Sequence, residues 1–124
     1  MLNNRNLKIE LLNHVINTVN DCELETFEEL HFQAFNADYY IIGYYQANEW
    51  LKEHDIDAFD AIAKVIEWEL DCFGEINLKP QDMNSEKVVN LLVYVLGEEL
   101  LSEFDLEQSK DELLIELRNA ANNN

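Results

Sequence analysis

The chain has 124 residues, 48% of them apolar, with 26 acids against 8 bases and a net charge of -18. That much apolar surface suits one folded core and argues against a disordered chain. The charge argues against direct phosphate contact and against anionic membranes: a globule of this length is roughly 35 Å across, and 18 charges match about 30 Å of duplex DNA.

Residues 1–5 are polar and expected to be loose. Leu7, Leu11, Leu12, Val15, Ile16 and Val19 then recur at helical spacing, predicting a first helix over 6–20. After the acidic connection 21–25, Thr26 and Glu29 have the spacing of a capping box. The second helix follows over 27–36, burying Phe27, Leu30, Phe35 and either Phe32 or Ala34. The stretch DYYIIGYYQANEWLK over 38–52 is apolar around most of a helical circumference, which predicts a central helix enclosed by the others. It runs to about Glu53, with Asp38 as its cap, Gly43 in its interior and a small-residue groove formed by Gly43 and Ala47.

Asp57 is the expected N-cap of a fourth helix over 58–72, with Phe59, Ile62, Ala63, Ile66 and Leu70 on its inner side and Gly74 as its stop. Residues 75–83 hold Pro80, the one proline, and form the longest connection. VVNLLVYVLGEELL is rich in β-branched residues, but no second strand-like segment exists to pair with it, so it reads as a fifth helix. A turn at 104–107, a cap at Ser109, a short last helix to about Arg118 and a loose Asn-rich end complete the chain. The expected fold is all-α: one domain over 1–124, a compact bundle of five or six short helices around the central aromatic-rich helix.

No signature of catalysis accompanies this fold. Three glycines cannot assemble a phosphate-cradling loop, and the serines, histidines and cysteines fall in no nucleophile motif, so no catalytic residue is assigned. Glu28 and His31 have the carboxylate–imidazole spacing of di-iron bundles, yet the second copy that such a site needs is missing, since His14 and His54 have no Glu three residues before them. Asp55, Asp57 and Asp60 lack the turn glycine and closing Glu of a calcium loop. No metal and no cofactor is expected. Cys22 and Cys72 form no metal spacing, the N-terminus lacks a signal-like apolar run, and the apolar stretch 88–96 is too short to span a bilayer. A reduced, cytoplasmic protein is the expectation.

The acids are the one functional signal. They stack at i,i+4 in the series Asp21, Glu25, Glu29 and Glu99, Glu103, Glu107, Asp111, whereas acid–base pairs at that spacing are confined to Asp60/Lys64 and Glu75/Lys79. Each like-charge pair costs a few tenths of a kcal/mol in an isolated helix. Amphipathicity and solubility explain part of the pattern, but not residues 88–109, which hold five acids and no Lys or Arg. An acidic binding band of Asp21, Glu25, Glu29, Glu98, Glu99, Glu103, Glu107 and Asp111 is therefore expected. Of the aromatic residues Tyr39, Tyr40, Tyr44, Tyr45, Trp50 and Trp68, most should be core, with Tyr39 and Tyr45 as candidates for an interface.

The segments YYIIGYYQANEWLKEHDIDAFDAIAKVIEWELDCFGE and KVVNLLVYVLGEELL resemble small acidic proteins of bacteriophages and mobile elements that have no assigned function; the resemblance spans about residues 30–101. In size, helicity and charge the chain also resembles, more loosely, phage anti-defence proteins that imitate DNA. The resemblance implies a non-enzymatic inhibitor in a bacterial host cell. Its carboxylates would stand in for phosphates in the basic groove of a restriction or CRISPR protein. The rival expectation is an acidic adaptor, as monomer or homodimer, that binds partners through a Tyr/Trp surface.

Overall fold

A computed structural model describes residues 5–21, 29–36, 40, 42–82 and 86–122, apart from the side chains of Arg5, Tyr44, Tyr45 and Asp82. The described residues form six α-helices and no strand: α1 (Arg5–Asp21), α2 (Leu30–Phe35), α3 (Tyr44–Glu53), α4 (Ala58–Phe73), α5 (Glu86–Leu101) and α6 (Lys110–Asn122), with a 3-10 turn at Pro80–Asp82. The all-α bundle is as expected, and the stretch with strand-like composition is helical. The capping box at Thr26, the cap at Asp38 and Cys22 lie outside the described residues.

The helix at the centre differs from the expected one. It is α5, which buries Val88, Val89, Leu92, Val93, Val95, Leu96, Gly97, Leu100 and Leu101 and packs on α1, α2, α3, α4 and the 3-10 turn. These positions cover most of its circumference, as an enclosed helix requires. The aromatic stretch is instead split. Gly43 is the N-cap of α3 and not an interior residue, and α3 leaves Gln46, Asn48, Glu49, Lys52 and Glu53 exposed. Asn90, which interrupts the apolar run of α5, accepts from the Ile42 amide (3.1 Å) and donates to the Ile42 carbonyl (3.3 Å), fixing the entry to α3.

The close approach expected at Gly43 and Ala47 occurs at Gly97 instead. The fully buried Phe35 ring lies where a Cβ on residue 97 would fall. On α2, Leu30, Ala34 and Phe35 are buried and Phe32 is exposed, which settles the alternative at that helix for Ala34.

α1 packs most extensively on α6, joining Leu7, Leu11, Leu12, Val15 and Val19 to Leu113, Leu114 and Leu117 in the core. The Lys110 ammonium donates to the Asn20 carbonyl (3.1 Å), so α6 begins beside the end of α1 and runs antiparallel to it. The two expected caps around α4 are present: the Asp57 carboxylate accepts from the Phe59 amide (2.7 Å), and Gly74 closes the helix at φ 71°.

Candidate functional site

α4 and α5 run antiparallel, and a groove of about 280 Å³ opens between them, lined by Glu67, Trp68 and Asp71 from one side and Val95, Glu98 and Glu99 from the other. Four carboxylates therefore converge on one concavity, and Lys64 is the single base in its lining. The Lys64 ammonium pairs with Glu99 at 2.5 Å. The Trp68 indole N–H donates to Glu98 at 3.3 Å, and the Trp68 ring meets the rings of Phe73 and Tyr94 edge to face. Burial pushes the Tyr94 phenol pKa up, and the charges of Glu98 and Cys72 add to that rise. The groove thus sets four carboxylates around the Trp68 ring.

Sequence reasoning reached Glu98 and Glu99 but missed Glu67 and Asp71. Those two form one of the i,i+4 acid pairs but belong to neither extended series. Only the antiparallel packing of α4 on α5 reveals that they face the same space.

The other expected band residues are distributed differently. Asp21 ends α1 and Asp111 opens α6, both exposed, and the Lys110–Asn20 bond brings those two helix ends together. Glu29 is exposed in the turn before α2, and Glu25 and Tyr39 lie outside the described residues, as does the Tyr45 side chain. Glu99, Glu103, Glu107 and Asp111 do not continue along one helix, because α5 ends at Leu101 and α6 starts at Lys110. Glu103 pairs with Lys8 (3.7 Å) near the start of α1. Asp111 sits near its end, about 18 Å away at 1.5 Å per residue. The segment between them runs the length of α1.

The three histidines are all engaged in packing. His14 Nε2–H donates to the Ala34 carbonyl. His31 Nε2–H donates to the Tyr94 carbonyl at 2.8 Å, with its ring 4.0 Å from that of Tyr94. His54 Nε2 meets one Glu10 oxygen at 2.7 Å while the Tyr40 hydroxyl donates to the other at 2.6 Å. Among the described residues no three His, Cys, Asp or Glu side chains are grouped as a metal ion requires, and no helix is long and apolar enough to cross a membrane. Trp50 is buried, and Tyr40 and Trp68 are half-buried.

The fourth helix departs furthest from expectation. Its inward residues are Ala61, Val65 and Glu69. Phe59 is 82% exposed, Leu70 47% and Phe73 56%, Ala63 is exposed, and Ile62 and Ile66 are only partly covered. The face expected to point inward is rotated toward solvent. The buried Glu69 carboxylate accepts from the amides of Asn77 (3.1 Å) and Leu78 (3.2 Å), pinning the connection after α4. A carboxylate used in this way occupies an inward position that a pattern search reserves for an apolar side chain.

No protein-family model, curated protein or solved structure matches this chain.

Proposed function

We propose that this protein is a non-enzymatic inhibitor, acting in the cytoplasm of a bacterial host, whose carboxylates take the place of nucleic-acid phosphates in the basic groove of a restriction or CRISPR type defence protein. The observation that carries this reading is the convergence of Glu67, Asp71, Glu98 and Glu99 on one groove of a chain with net charge -18. Carboxylates held on two rigid helices form a fixed negative field, and such a field speeds association with a cationic surface and selects against anionic partners. Asp21 and Asp111 lie exposed at adjoining helix ends away from this groove.

The exposed apolar side chains of α4, Phe59, Leu70 and Phe73, favour a second reading, an acidic adaptor held by apolar contact. Immobilised protein exposed to bacterial lysate separates the two. Mimicry requires salt-eluted nucleases or DNA-binding complexes that added duplex DNA displaces, and that a Glu67→Gln/Asp71→Asn/Glu98→Gln variant no longer captures. If duplex DNA fails to displace the bound proteins, mimicry is wrong.

A further inference from the structure

We infer that the outer face of α4 is the docking seam for a basic amphipathic helix of a partner protein. Phe59, Ala63, Ile66, Leu70 and Phe73 follow one another at intervals of four, three, four and three residues. That is the spacing of the apolar seam by which one helix packs along another. Most of the seam turns away from the core: Phe59, Ala63, Leu70 and Phe73 are exposed while Ile66 is partly covered against it, and within the bundle α4 rests on α5 through the side that carries Ala61, Val65 and Glu69. From Phe59 to Phe73 it is about 21 Å long, the reach of a four-turn helix.

Charge selects the occupant. Asp60 and Glu67, both exposed, each follow a seam residue directly and so sit on its flank. In paired helices such positions choose partners by charge. A second copy in antiparallel register would bring Glu67 close to its own counterpart, and each copy carries a net charge of -18, whereas a helix with Lys or Arg at the facing positions gains from both of these acids. The inference rests on the proposed function only in taking the natural partner to be basic.

The test uses the whole protein and three synthetic four-turn peptides, labelled for fluorescence anisotropy. One has leucine at seam spacing with flanking lysines, one is its scrambled isomer, and one carries glutamate in place of lysine. The leucine–lysine peptide should bind the wild-type protein at least about tenfold more tightly than either control at low salt, and keep that margin over the scrambled isomer near 1 M salt, where the Debye length is roughly 3 Å. Phe59→Ser and Leu70→Ser, at solvent-exposed positions, should each weaken that binding at least about tenfold while leaving helical circular dichroism unchanged. Equal binding of the scrambled peptide would show a charge effect alone and overturn the inference, as would unchanged binding by both serine variants. It is equally overturned if the wild-type protein sediments as a dimer that Leu70→Ser converts to a monomer, which would make a second copy the occupant. Should the peptide bind as expected while duplex DNA fails to displace the lysate proteins, the seam stands and phosphate mimicry falls.

Discussion

The ring of Phe35 lies directly against Gly97, so α2 sits closer to α5 than any residue with a Cβ at that position would allow. Gly97→Ala would gain up to about 1 kcal/mol in helix propensity, but it forces a fully buried ring out of place, a typical cost of about 1–3 kcal/mol. Urea unfolding should show net destabilisation. The added loss should shrink when the substitution is made in a Phe35→Leu background, because residues in contact do not contribute additively.

Glu69 is 3% exposed, and its carboxylate satisfies two backbone amides. Glu69→Ala would strand those donors at a cost of about 1–3 kcal/mol. Hydrogen exchange at Asn77 and Leu78 should accelerate in this variant by more than the change in global stability explains.

The Tyr40 phenol is held well above its ordinary pKa of 10.0, first by burial, then by its hydrogen bond to Glu10 and the charge of that group, with the Trp50 side chain acting in the opposite sense. A raised folded-state pKa means that the unfolded chain loses this proton first. The contribution to stability is thus complete below pH 10 and fades as pH climbs from there through the folded-state value. Tyr40→Phe should cost about 1–2 kcal/mol at neutral pH by removing a bond to a charged acceptor. Denaturation curves above pH 10 should then fall less steeply for the variant than for the wild type.

Asp55 has a φ of 52° immediately after α3, and the buried Ile56 donates its amide back to Leu51. Glycine is the preferred residue at such a left-handed helix stop, and an acid there opposes the negative end of the helix dipole. Asp55→Gly is expected to stabilise the fold by up to about 1 kcal/mol. An unchanged or lower melting temperature would contradict this account.

The Lys8–Glu103 and Lys64–Glu99 pairs have partly exposed side chains, so each contributes at most about 1 kcal/mol. Repulsion among charges summing to -18 acts over the whole surface. Raising salt from about 0.01 M to about 1 M contracts the Debye length from roughly 30 Å to roughly 3 Å. The melting temperature should rise by about 5 °C or more; a fall would mean that the ion pairs outweigh the repulsion.

Helix content was legible wherever local chemistry is strong. The apolar spacing from Leu7 to Val19, the Asp57 cap and the Gly74 stop act within one or two turns of chain, and each is found where the pattern places it. The central helix cannot be told from composition because an all-round apolar pattern belongs to both the stretch around Gly43 and α5. The choice between them depends on long-range partners, such as Phe35 at Gly97 and Ile42 at Asn90, that leave no mark on local periodicity. The inward face of α4 escapes the sequence pattern for a related reason. Its apolar side chains span two faces, and the side that met α5 carries a buried glutamate while the bulkier side stays uncovered. Glu98 and Glu99 stood out through a run without bases, while Glu67 and Asp71 acquire meaning only when two distant helices lie side by side.

An uncovered seam of phenylalanine and leucine also governs how the free molecules treat one another. Left bare on a neutral protein, such a ridge would glue copies into precipitate; here every approaching pair must first overcome mutual electrostatic repulsion. On the proposed reading, the acidity that would draw a cationic target inward doubles as a colloidal guard, withdrawn only where an oppositely charged surface cancels it.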